Sequence, residues 1–361
     1  MDRNSTPSYK NYRSVALTVM LAVLAIPAAI DIAYLTHIAG HFLLMAVLGV
    51  LTVIFMTCNR HVFTLNAVAL IIILFFTSGK SLTVALLGAV LILGSVVLSI
   101  AVSKKTTKTS AVLVVCITVV TGYALVAALI YAAKGKSLAP EDLFEKLNDA
   151  FDSIKVLSAD MIRSYVDSLS EEMLAYYAKY DMTKELLLET SLLTMESFVD
   201  MMQLLLPGCF VFLMQVIAYV GVVSFEKVAR LIQCGSVLPE TRWRLYPTQV
   251  SCIVYIAVTS AYLLSGLFSS ASTFSILMMN FWIALMPMMI ACGFNGLLLR
   301  LKHPRLRRSM IFVLVLFAGG CLFRPDIAFS LGIFMLTFMG AQDVSLARAA
   351  EAAERKNRDP K

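Results

Sequence analysis

Thr241–Val250 reads TRWRLYPTQV, which sets two arginines, a tryptophan, a tyrosine and a proline directly before a run of more than 20 almost uncharged residues. Such a connector makes physical sense at the edge of a lipid bilayer. Arg242 and Arg244 stay in water, Trp243 and Tyr246 sit at headgroup depth with one end dry and one end wet, and Pro247 suits the first turn of the next helix. Composition agrees. Hydrophobic residues are 59% of the 361 and charged residues 15%, against roughly half and about a quarter in a soluble domain, and mean hydropathy is +0.83. The solvent for most of this chain is therefore hydrocarbon, and length counts spans rather than domains.

Working outward, apolar segments fall near Ser14–Ile30, Ile32–Cys58, Val62–Ser78, Ser81–Val102, Ala111–Ala133, Met201–Ser224, Val250–Leu267 and Ser275–Leu299. The tail offers two shorter ones, Met310–Phe323 and Ile327–Gly340, parted by Arg324, Pro325 and Asp326. The fold class expected is an all-α polytopic transmembrane bundle, with eight clear spans plus a short C-terminal helical hairpin, about ten in all. The hairpin's alternatives are a re-entrant loop or one kinked span. The N-terminal segment resembles a secretion signal, but apolar character resumes at once through Cys58, so an uncleaved first span is expected.

Lys and Arg near span ends are retained in the cytoplasm. With an inside N-terminus, 21 of the 30 basic residues fall in inner segments, and four of the five outer segments hold only Lys80 and Arg324. The expected protein is a multi-pass cell-membrane protein with both termini cytoplasmic. A pI near 9.0 then reflects topogenic connectors facing an anionic leaflet, and no nucleic-acid partner is expected.

One hydrophilic region, 134–200, carries 14 acidic and 7 basic residues, a net of −7. Leu143, Leu147, Phe151, Ile154, Leu157, Met161, Tyr165, Leu169 and Met173 step by three or four, which predicts an amphipathic helix. Pro140, Glu141 and Asp142 suit its first turn. A break at Tyr180 and Asp181 would start a second helix running into the sixth span. The insertion reads as an extracytoplasmic helical hairpin whose stripe is a packing face over the bundle mouth; the alternative is a lid or a docking surface for a partner.

QLLLPG (203–208), VARLIQCGSVLP (228–239), RWRLYP (242–247) and MGAQDVSLAR (339–348), taken in that order, resemble the YybS family. These are bacterial multi-spanning membrane proteins of unknown function, grouped loosely with the substrate-binding components of energy-coupling-factor transporters. The family has Trp, a basic residue, Leu and Pro in close succession, and here Tyr246 stands between Leu245 and Pro247. The matched residues are Pro207, Arg230, Trp243, Arg244, Asp343 and Arg348, to which the resemblance assigns no role. It implies small-molecule capture at the level of fold analogy.

No Gly-rich nucleotide loop, His-Glu-x-x-His or Gly-x-Ser-x-Gly occurs, so neither catalysis nor a cofactor is expected. Any primary transport would depend on a partner membrane or ATPase subunit. The seven cysteines never form Cys-x-x-Cys and read as small hydrophobes. His37 and His41 share a helical face with Asp31 upstream, but two ligands and a third candidate do not complete a site, and no metal is expected. Of the polar residues within apolar segments (Asn66, Gln203, Gln215, Asn280, Asn295), Gln215, Asn280 and Asn295 lie deepest and form the candidate substrate path. The competing role is interhelical hydrogen bonding. Pro27, Pro207 and Pro287 interrupt spans, and a five-plus-five inverted repeat would bring Pro27 and Pro207 to corresponding places.

Overall fold

The computed structural model describes residues 7–35, 38–135, 139–232, 249–268, 273–302 and 304–358. The described residues form twelve helices and no strand: α1 (Pro7–Tyr34), α2 (Ile38–Thr57), α3 (Arg60–Thr77), α4 (Leu82–Ser103), α5 (Lys108–Ala133), α6 (Pro140–Asp167), α7 (Glu171–Ala178), α8 (Lys184–Leu231), α9 (Gln249–Phe268), α10 (Thr273–Lys302), α11 (Pro304–Phe323) and α12 (Pro325–Arg358). Local chemistry sets several starts. Asn59, Thr107, Ser170 and Thr183 each accept a backbone N–H from the first turn of the helix that follows, which satisfies a donor that has no partner inside the helix.

Among the described residues, eight helices are long and apolar enough to cross a membrane: α1 to α5, α8, α10 and α11. Shorter apolar stretches, Cys252–Ser265 and Ile327–Asp343, lie in α9 and α12. α9 is a helix of 20 residues, the length expected of a clear span, whereas α11 is longer than the short run expected: Pro304 starts it six residues before the apolar run and makes a helix of 20 residues, about 30 Å long. The C-terminal pair is thus two separate helices meeting at Arg324, packed on each other and on α10.

A row of helices, α4–α2–α8–α10–α12, forms the spine. Register pairs show that its members run in one direction. Gly221 lies beside Met45 and Gly49 beside Phe225; Gly208 meets Asn280, and Gln215 meets Ala284. Gly340 lies against Met289 and Gly293, and Asp343 against Gly296 and Arg300. Glycine is what permits these approaches. A Cβ on Gly49 would lie 2.6 Å from the Phe225 nitrogen, and one on Gly293 would collide with the Leu336 carbonyl. Lipid supplies no hydrophobic drive between helices, so close van der Waals packing at small residues does that work. The remaining spans flank the spine: α1 on α2, α3 on α1 and α4, α5 on α4 and α8, α9 and α11 on α10. The main core joins α1 to α5 with α8 around Leu48, Leu51, Leu91 and Phe225, and a smaller cluster joins Cys252, Tyr255, Met289 and Ala341.

Two ends follow from these pairs. At one, Lys108 at the start of α5 meets Glu226 near the end of α8, and Arg300 near the end of α10 meets Asp343 on α12. Among the described residues this is the basic end. At the other, Asp31 of α1 accepts the Gly40 N–H at the start of α2 (2.6 Å), and the acidic insertion emerges. No inverted repeat is visible in the packing of the described residues. α1 and α2 pack extensively, whereas their would-be counterparts α8 and α9 share at most a marginal contact among the described residues.

The insertion departs from its sequence reading in two ways. The helix expected to run through Met173 stops at Asp167, Ser170 caps a short α7, and only then does α8 begin. Ser170 accepts the Met173 N–H, and this local bond competes with helix continuation. Second, α6 packs chiefly on the projecting half of α8. Phe151 and Val166 are buried, while Ile154, Leu157, Met161 and Tyr165 stay exposed. The stripe is wider than the single helix that covers it. The 48 residues of α8 span about 72 Å against a hydrocarbon core of about 30 Å, so its N-terminal part stands clear of the bilayer.

Candidate functional site

Pro207 and Pro287 do not open their helices. α8 and α10 run through them, and each helix mends the other. Pro207 lacks an N–H and disturbs the rungs around it. Asn280 of α10 reaches across: its Oδ1 accepts the Gly208 N–H (2.7 Å) and its Nδ2 donates to the Leu204 carbonyl (2.9 Å) and to Ile276 in its own helix (3.0 Å). A Cβ at Gly208 would lie 2.7 Å from the Asn280 carbonyl oxygen, so only glycine admits this crossing. In return Gln215 of α8 donates to the Ala284 carbonyl at 2.8 Å, in the turn before Pro287. Two of the three candidate substrate-path residues are therefore engaged with backbone. Asn295 is apart from them, exposed on α10 without a hydrogen bond among the described residues.

Beside this clasp a shallow groove of about 50 Å³ lies between α5 and α10 over α8, lined by Val112, Gln215, Val216, Tyr219, Pro287, Met288 and Ala291. At the basic end below it, Glu226 accepts from Lys108 (2.7 Å) and from Arg230 (2.6 Å), and the Lys108 ammonium lies 5.6 Å from the centre of the Tyr219 ring. Arg230 is largely exposed, Lys108 and Glu226 largely buried. The second ion pair, Arg300 with Asp343, ties α10 to α12 where Gly296 leaves room for the carboxylate. Sequence reasoning treated Lys108 and Arg300 only as topogenic charges. A signal was present: Glu226 is the lone acid between 201 and 239, and Asp343 the lone acid between 327 and 350, and an acid at a span end calls for a partner.

At the hairpin end His41 Nδ1 is 3.1 Å from the Tyr123 hydroxyl, and the Asp31 carboxylate caps α2, where the helix dipole favours an anion. No three His, Cys, Asp or Glu side chains come together as metal ligands among the described residues. Gln203 binds Asn148 of α6 at 2.7 Å and so fastens the insertion to the top of the span. Asn66 is buried in α3, donating to Val62 (2.8 Å) while its Oδ1 has no partner among the described residues. His37, Trp243 and Arg244 lie outside the described residues, and Arg348 falls on α12 with its side chain outside them.

The insertion carries an uncovered apolar row. Ile154, Leu157, Met161 and Tyr165 are 47%, 64%, 67% and 60% exposed, and their spacing places them on one face of α6. Lys155 holds α6 to α8 through Asp200 at 2.6 Å. The hydrogen bond to Asp200 raises the Lys155 pKa above its ordinary value, opposed by desolvation and helped by the charges of Asp200, Asp152 and Glu196. No family model, curated protein or solved structure matches the chain.

Proposed function

We propose that this integral membrane protein is a non-catalytic assembly protein whose outer hairpin docks an extracytoplasmic partner, with both termini and the basic end in the cytoplasm. The row Ile154, Leu157, Met161 and Tyr165 carries this reading, because it is apolar, exposed and set on an arm that α8 lifts clear of the hydrocarbon. Burying such side chains stabilises by about 1.5–3 kcal/mol each, so a matching apolar ridge is the natural cover. The arm's net charge of −7 disfavours a second copy and favours a basic amphipathic helix, the helix-on-face mode of recognition. The test places a photo-reactive residue at Leu157 in native membranes. A heterologous adduct should form through a basic, apolar-striped segment, weaken as salt rises from about 0.05 to 0.5 M, and vanish in Leu157→Glu/Met161→Glu. A self-adduct, or an adduct indifferent to both salt and substitution, would refute it.

A second reading is a small-molecule transporter or membrane solute-binding subunit of bacterial type, energised by a partner membrane or ATPase subunit. The facing proline sites of α8 and α10 favour it, since broken helices mark binding sites in transporters, and so does the YybS resemblance. Native mass spectrometry decides: a co-purifying solute released by Asn280→Leu at unchanged stability would favour this reading, and a solute-free protein would count against it.

A further inference from the structure

We propose that the groove between α5, α8 and α10 is a lipid site, taking one acyl chain of a phospholipid with an anionic phosphate headgroup from the leaflet at the basic end. The argument starts from place. Val112, Val216, Tyr219, Pro287, Met288 and Ala291 give the groove apolar walls, and it opens within the spanning part of three helices, where acyl chains are the solvent. Its deep end is Gln215, whose Nε2 is engaged with Ala284. Toward the basic end α8 presents Tyr219, Glu226 and Arg230 on one side of the helix. From Gln215 to Arg230 is about 22 Å, enough for one leaflet's half of the hydrocarbon, about 15 Å, plus a headgroup.

Charge then selects the headgroup. Lys108 and Arg230 both pair with Glu226. Arg230 is 63% exposed at its side chain and uses only one of its five donors on Glu226 in the described contacts, so a phosphate can share its fork. Lys227 is exposed beside it. Asn295 lies one turn below Ala291 on the same face of α10 and is exposed, at a depth suited to the ester region of a lipid seated in the groove. This gives the unengaged third amide a role that the clasp does not. Basic pockets between spanning helices are recurrent sites for anionic headgroups.

Native mass spectrometry of the full-length protein in lipid-free micelles, titrated with phosphatidylglycerol or phosphatidylcholine, tests the proposal. One phosphatidylglycerol should bind roughly tenfold more tightly than phosphatidylcholine. Ala291→Phe, which fills the groove, should abolish the tight site, and Arg230→Gln should remove the headgroup preference. Leu316→Phe on the exposed face of α11 should change neither. Should Ala291→Phe fail to fold, Val216→Phe fills the same groove, and the exposed Arg230→Gln reads the headgroup independently. Equal binding of the two lipids, retention of the tight site in the filled groove, or full displacement by millimolar inorganic phosphate would overturn the lipid assignment.

Discussion

Replacing Asn280 with leucine probes the reciprocal clasp of α8 and α10 most sharply. Leucine keeps the volume and removes the amide, so both interhelical bonds, to the Gly208 N–H and the Leu204 carbonyl, are lost. At roughly 0.6 kcal/mol each that is about 1.2 kcal/mol. An N–H left unpaired next to Pro207 adds about 1 kcal/mol or more. The expected total is a loss of about 2 kcal/mol, and Asn280→Asp should recover only the acceptor half. Gly208→Ala attacks the same crossing from the other side, because its Cβ would lie 2.7 Å from the Asn280 carbonyl oxygen, and overpacking of this kind costs about 1–3 kcal/mol. Since both changes disrupt one contact, their double variant should lose clearly less than the sum. Reversible unfolding in mixed micelles, followed by helical circular dichroism, reads all three. Unchanged stability in Asn280→Leu, or strict additivity with Gly208→Ala, would refute the clasp.

Glu226→Gln should destabilise the basic end by about 2 kcal/mol, a value discounted from the cost of breaking a buried pair because Arg230 is exposed; Lys108→Met/Glu226→Met should recover most of it in the same unfolding assay. Gly293→Ala should cost about 2 kcal/mol or more, since its Cβ would meet the Leu336 carbonyl, and should loosen α12 in hydrogen exchange. The Lys155 pKa is raised in the folded arm, so its contribution is present at neutral pH and is lost as pH rises through that folded value. Relative to the intrinsic base-catalysed rate, the protection of α6 amides from hydrogen exchange should therefore fall at alkaline pH, and Lys155→Gln should abolish that fall.

Hydropathy and basic spacing made the apolar helices and the common basic end legible, because both are properties of a chain against its solvent. The emergence of α8 from the hydrophilic region was legible too, from the break near Asp181. Which side of a helix meets a neighbour is set by packing, and there the sequence was mute. It could not tell that Asn280 and Gln215 bind backbone while Asn295 is exposed, nor that Phe151 of the apolar stripe is buried while Ile154, Leu157, Met161 and Tyr165 are exposed. The interruption at Ser170 was hidden because Leu169 and Met173 keep the helical period across it. The pairing of Glu226 and Asp343 with Lys108 and Arg300 is long-range, and only the loneliness of those acids hinted at it.

The most direct measurement compares two single cysteines, Ser153→Cys on α6 and Arg307→Cys on α11, introduced into a cysteine-free background in intact cells. A membrane-impermeant maleimide should label the first at once and the second only after permeabilisation. Labelling of both from the same side would contradict a bilayer lying between the acidic arm and the basic end.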